Sequence, residues 1–284
     1  MKNQVLIIYN SQKENAINLY SKVESYLEGK GYTVIVKISG HQDYKKNGDK
    51  LNAESILLLI TIGGDGTVLG AARDFPNIPI LALNAGSVGF ITQTPLDMWQ
   101  SALDEFLEGK SEIASHLMFE ATLYRDEKVV CSQIGLNEVS INSNGISRLV
   151  DLLVEVNDSS LGRFRADGVL ISTPTGSTAY SAAAGGPVLA PLVNAFIINP
   201  VCPFSLSSRA VVVEGDSIIT VFIEPHQRTK LNLTIDGQVG FDLMANDKLV
   251  VKRASVNCSI IKNKSRNFFS VLREKLHWSG GHND

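Results

Sequence analysis

The sequence predicts an α/β N-terminal domain with a doubly wound, Rossmann-like parallel sheet, followed by an all-β, sandwich-like domain. Three observations carry this expectation. The apolar run 56–62 is continuous rather than alternating, as in a strand covered on both faces. Such runs alternate with helix-spaced segments over the first 115 residues, the pattern of a parallel sheet. From 115 to 261 short β-rich runs separated by turn residues take over, the pattern of a sandwich. The expected boundaries are 1–115 for a nucleotide-binding α/β domain, with the tail 262–284 packing back on it, and 116–261 for the β-rich domain.

Each element has its own signal. Residues 5–9 open a first strand, and Ala16, Tyr20, Val23 and Leu27 follow at helical spacing until Gly29 and Gly31 end the helix. The β-branched run 33–38 is a second strand, and the polar stretch 39–53 is a loop. The third strand, 56–62, runs into Gly63-Gly64-Asp65-Gly66-Thr67, with a helix expected from Val68. A fourth strand, 78–83, ends at Asn84-Ala85-Gly86-Ser87-Val88-Gly89-Phe90, and 95–107 has helix character. Strands of the second domain are expected at 117–124, 136–141, 149–156, 169–172, 210–213, 218–223 and 231–235, with one helix at 177–184. The tail 268–278 regains helical spacing through Phe269, Leu272 and Leu276.

Composition narrows the function classes. The net charge of −3 offers no basic surface for nucleic acid. Cys131, Cys202 and Cys258 are odd in number and far apart, so they are expected as buried thiols of a reducing compartment. The five apolar residues near the N-terminus are too few for a signal peptide, and no apolar run approaches the ~20 residues of a membrane span. A cytoplasmic protein without membrane or nucleic-acid partners is expected. His41, His116, His226, His277 and His282 lack metal-ligand spacing, and no G-x-S-x-G element is present.

Two stretches carry chemistry. In the first, glycines at 63, 64 and 66 let backbone N–H groups approach a phosphate, and a helix N-terminus behind them favours negative charge. Asp65 does not help hold phosphate, which suggests a proton acceptor or a metal-positioning group. The alternative is that Asp65 caps its helix. The dinucleotide fingerprint fails on glycine spacing, and no Gly-Lys-Ser/Thr follows for a Walker-A loop. In the second stretch, Arg165-Ala166-Asp167-Gly168 leads to Thr173-Pro174-Thr175-Gly176-Ser177-Thr178-Ala179-Tyr180 and then Gly185-Gly186-Pro187. Its hydroxyls and N–H groups suit the polar edges of a ribose or base, and Tyr180 offers a flat apolar face. An ordinary Ser/Thr-Pro-Gly turn with Ser177 as N-cap is equally open there.

Together these pieces resemble the NAD kinase family over most of the chain. GGDGT at 63–67 is shared with diacylglycerol, sphingosine and, more distantly, phosphofructokinases. The discriminating pieces are Asn84-x-Gly86-x-x-Gly89-Phe90, Asn137-Glu138, DGVLISTPTGSTAYSAAAGGP at 167–187, Cys202-Pro203 with Arg209, and Asp236-Gly237-Gln238. The resemblance implies transfer of the γ-phosphoryl of ATP to the 2′-hydroxyl of the adenosine ribose of NAD, a divalent metal such as Mg²⁺, and a homodimer or homotetramer. It implies Asp65 as general base and Gly63, Gly64, Gly66 and Thr67 as a phosphate loop. It further implies NAD contacts from Asp65, Gly66, Asn137, Glu138, Arg148, Arg165, Asp167, Thr175, Thr178, Ala179, Tyr180, Ala183 and Gln238. Ala183 stands where a serine is usual, with Ser181 the nearest replacement hydroxyl; Phe204 and Ala210 depart from a common histidine and proline. A lipid or sphingoid-base kinase, and a non-catalytic NAD(P) sensor, are the competing expectations.

Overall fold

The computed structural model describes residues 2–40, 44–45, 53–86, 89–144, 149–227 and 229–277. Arg148, Ser87, Val88, His41 and His282 lie outside them, as does most of the expected loop 39–53. The chain divides into two compact units, Met1–Ser115 with Cys258–Asp284, and His116–Asn257.

The first unit is a parallel sheet with helices. Its strands are β1 (Gln4–Tyr9), β2 (Thr33–Ile38), β3 (Tyr44–Lys45), β4 (Ile56–Gly63), β5 (Ile80–Asn84) and the short β6 (Thr94–Pro95). They run in the order β3-β2-β1-β4-β5, parallel except for β3, which turns back against β2 inside the stretch expected to be a loop. The strand order reverses between β1 and β4. Val5, Ile7 and Tyr9 share a core with Ala16, Leu19, Val23 and Leu27 of α1 (Glu14–Gly29) and Leu103 of α3 (Trp99–Leu107). Their neighbours Leu6 and Ile8 are buried on the opposite face, which is why the run reads as continuous. Helix α2 spans Asp65–Asp74, three residues earlier than Val68, because Thr67 N–H already bonds Gly64 O at 3.0 Å.

The second unit is a sandwich. One sheet holds β7 (Ile113–Arg125), β8 (Lys128–Gly135), β10 (Val150–Val156), β11 (Ser159–Ala166), β15 (Ile219–Ile223) and β18 (Lys248–Ile261). The other runs β14-β13-β12-β9-β16-β17, all antiparallel: β9 (Glu138–Asn144), β12 (Gly168–Ser172), β13 (Ala195–Val201), β14 (Val211–Glu214), β16 (Lys230–Ile235) and β17 (Val239–Leu243). Val150, Leu152 and Val154 of the first sheet meet Ile141, Ile171, Phe196 and Leu233 of the second in one core. Residue alternation along each strand supplies that face.

Several strands were not expected from sequence. Strand β13 is fully buried yet carries Asn199-Pro200, a turn signal. Pro200 is tolerated because β14 pairs only as far as Ile198, so the strand is an edge at the proline. Hairpins β7–β8 and β10–β11 turn on Asp126-Glu127 and Asn157-Asp158, all at positive φ, rather than on a glycine. The helix expected at 177–184 is a single 3-10 turn, Gly176–Thr178, and a four-residue helix α4, Tyr180–Ala183. Helix α5 (Phe268–Leu276) ends the described chain, started by a reciprocal Asn267–Ser270 cap. Cys202 is exposed and Cys131 half-buried, so only Cys258 is the buried thiol expected of all three.

Candidate functional site

Each unit carries one cluster. In the first, register sets Gly63 opposite Asn84, bringing the turns after β4 and β5 side by side. Ala85 N–H closes the junction on Gly63 O at 2.8 Å. Asn84 shapes the second turn: Oδ1 accepts Gly86 N–H at 2.8 Å while Nδ2 donates to Thr92 O at 3.1 Å. Thr67 is buried over Gly63, where a Cβ would meet its Oγ1.

Asp65 does not cap its own helix. Gly64 is the N-cap, and the Asp65 carboxylate reaches across to the segment 90–92. Oδ1 accepts from Thr92 N–H at 2.9 Å, Thr92 Oγ1 at 2.8 Å and, longer, Ile91 N–H at 3.3 Å. Oδ2 accepts from Phe90 N–H at 2.9 Å, its one partner among the described residues. This approach requires Gly89, because a Cβ there would collide with Asp65 Oδ1 and Thr92 Oγ1. The carboxylate therefore fixes a loop, a role that the sequence pattern alone did not show.

In the second unit the fixed point is Asp236, a residue singled out only as part of a motif. It is 5% exposed and left-handed, in the turn between β16 and β17. Its carboxylate accepts the backbone N–H groups of Leu136, Asn137 and Glu138, at 3.0, 2.7 and 3.2 Å. The Asn137-Glu138 turn is held from the other side by Thr173 N–H on Asn137 O at 2.9 Å. Gly176 lies so close that a Cβ would overlap Asn137 O. Both side chains are buried, and Asn137 Oδ1 and Glu138 Oε2 have no hydrogen-bond partner among the described residues. Two neighbouring orphan acceptors are costly unless something supplies donors.

Around them stand most of the other expected residues. Thr175 is buried and bonds His116 Nδ1 at 3.0 Å; burial drops His116 to about 4, so it is neutral. Thr178 Oγ1 turns back to Thr175 O. Ala179 leads into Tyr180, whose phenol is pushed up first by burial, then by the fields of Cys202, Asp167 and Glu138. That places Tyr180, Asp167 and Glu138 in one neighbourhood. Arg165 is exposed, its guanidinium 5.5 Å above the Phe204 ring and its Nε 4.0 Å from Asp151. Ala183 is exposed, and Gln238 is exposed beyond the Asp236 turn. Ser181, whose hydroxyl could replace that of the missing serine, is fully buried, with its carbonyl bonded to Asn199 Nδ2 at 3.1 Å.

Burial, then repulsion from Asp236, raises Glu138 to about 7, with the Tyr180 N–H pulling the other way. The folded state therefore binds a proton that the unfolded chain releases near its ordinary value of 4.5. Stability is then greatest below that value and falls as pH rises towards 7, by about 3 kcal/mol in full. Thermal melts of the ligand-free protein should show Tm falling from pH 5 to pH 8, and Glu138→Gln should flatten that slope. An unchanged slope in the variant would contradict the assignment.

A family model described as the ATP-NAD kinase N-terminal domain matches residues 5–111, and one described as the ATP-NAD kinase C-terminal domain matches 136–263. The fold is that of the yeast NADH kinase solved with NADH, at a TM-score of 0.86 and 23% identity over 99% of this chain and 89% of that one. The NAD kinase of Archaeoglobus fulgidus solved with ATP gives 0.73 at 22% identity, over 96% and 98%. The class is thus a two-unit kinase architecture of α/β sheet and sandwich. The Treponema denticola NAD kinase is 37% identical over 98% of this chain and 97% of its own, and that of Koribacter versatilis 38% over 96% and 98%. This chain belongs to the NAD kinase family and is a kinase.

Proposed function

We propose that the protein transfers the γ-phosphoryl of ATP to the 2′-hydroxyl of the adenosine ribose of NAD, making NADP and ADP. The observation that carries this reading is the orphan pair Asn137 Oδ1 and Glu138 Oε2. Ribose hydroxyls and the adenine amine are the donors such a pair lacks. Thr175, Thr178, Ala179 and Tyr180 would line the same pocket, Arg165, Asp167 and Gln238 its polar rim, and Ala183 its exposed edge. Arg148 keeps its expected role as a further NAD contact, outside the described residues.

Asp65 is the general base in this reading. Among the described residues Oδ1 already accepts three hydrogen bonds, whereas Oδ2 accepts one and keeps lone-pair capacity. The 2′-hydroxyl proton passes to Oδ2 as its oxygen bonds the γ-phosphorus. The bond from that phosphorus to the β-γ bridging oxygen breaks, and ADP leaves with the electron pair. The loop of Gly63, Gly64, Gly66 and Thr67 would face the phosphoryl oxygens, where charge stabilisation is the larger contribution, the Thr67 N–H being bonded to Gly64 O instead.

The described residues hold no cluster of three or more His, Cys, Asp or Glu able to cage a metal. Mg²⁺, which is commonly held through substrate phosphates with one or two carboxylates, would arrive on the phosphates of ATP. Exposed Phe204 and Leu206 on the loop after β13 favour a homodimer or homotetramer. No described helix is long and apolar enough to cross a membrane.

The test is incubation of the purified protein with MgATP and NAD, with NADP followed through an NADP-specific dehydrogenase. NADP should appear only when both substrates are present. Phosphorylated lipid in place of NADP would favour the sphingoid-base reading, and NAD binding without turnover the sensor reading.

A further inference from the structure

We propose that Lys13 is the fixed cation that grips the terminal phosphates of the donor. This rests on the reading of a phosphoryl donor above. Lys13 ends the loop after β1 and is the N-cap residue of α1, anchored by its N–H on Asn10 O at 3.2 Å and by Ala16 and Ile17 N–H groups on its own carbonyl. Its Nζ lies 3.5 Å from where a Cβ on Gly64 would sit and 2.8 Å from one on Gly86. One ammonium thus stands over both glycine turns, after β4 and after β5.

Three physical points assign that ammonium a ligand. First, the loops after β1 and β4 flank the place where the strand order reverses, the crevice where open α/β sheets bind ligands. Second, the Lys13 side chain is half-buried and makes no ion pair or hydrogen bond among the described residues. Holding a rotamer-rich chain there costs entropy that nothing in the protein repays. Third, both turns lack side chains where Nζ lies, leaving backbone and cation as the groups presented. Gly86 also lines a cavity of about 310 Å³ with Asn84, Thr92 and Arg266. A lysine is a compact point charge suited to phosphate, and no Gly-Lys-Ser/Thr follows the glycine turn after β4 to supply one there. Lys13 fills that place from the loop after β1.

The test uses Lys13→Met, which keeps the stem and removes the charge, and Lys13→Arg, which restores it. ATP binding is measured by calorimetry without NAD, alongside initial rates with each substrate varied and a thermal melt. Lys13→Met should weaken ATP binding by about 10- to 100-fold, the scale of a lost charged hydrogen bond. KM for NAD and Tm should stay near wild type, and Lys13→Arg should recover most of the ATP affinity. Wild-type ATP affinity in Lys13→Met overturns the proposal, as does a loss of ATP and NAD binding together with a lowered Tm, which would mark a structural lysine. If the wild-type protein makes no NADP, the functional reading fails by itself, and the ATP titration still decides the role of Lys13.

Discussion

Asp65→Asn is expected to lower NADP formation by about 10²–10⁴-fold, the usual contribution of a positioned general base. The structure adds a complication that has to be separated out. Because Oδ2 accepts Phe90 N–H, an amide nitrogen there would face another donor. Losing that bond costs about 1–3 kcal/mol and loosens the segment 90–92. Stability and turnover must therefore be read together. If the carboxylate acts only by holding the loop, ATP and NAD affinities should fall along with the rate. If it also takes the proton, both ligands should still bind while kcat collapses. A variant that keeps the wild-type rate would remove Asp65 from the chemistry.

Asp236→Ala should have the largest effect on stability, about 3–5 kcal/mol, because three buried backbone donors lose their acceptor at once. The loss is local in origin: Asn137 and Glu138 are held where they are by that carboxylate and by the Thr173 clasp. NAD affinity should fall steeply even at temperatures where the variant remains folded, whereas ATP affinity should change little. Chemical denaturation with parallel calorimetry checks both parts. A folded variant with wild-type NAD affinity would show that the Asn137-Glu138 turn does not need its anchor.

Much of this was legible in the sequence because period and punctuation agree. A continuous apolar run ending in glycine marked β4, the run 78–83 marked β5, and the motif 167–187 marked the buried turn around Thr175. Strand β13 was hidden by Asn199-Pro200, whose turn signal is overridden by an edge position at the proline. The hairpins on Asp126-Glu127 and Asn157-Asp158 were hidden because acidic and amide residues adopt the left-handed region less conspicuously than glycine. At the sites, the missing information was contact. No spacing rule ties Asp65 to Thr92, Asp236 to Asn137, or Lys13 to Gly86; those pairs exist only once neighbouring turns are laid side by side.

The central claim is that a phosphoryl group ends on the 2′-oxygen of the adenosine ribose. The most direct measurement is phosphorus NMR of the product made from MgATP and NAD, with the coupling from phosphorus to the ribose proton assigning the position. A single new phosphomonoester coupled to H2′ is expected. A phosphate coupled to H3′, or no new phosphomonoester while ATP is consumed, would contradict it.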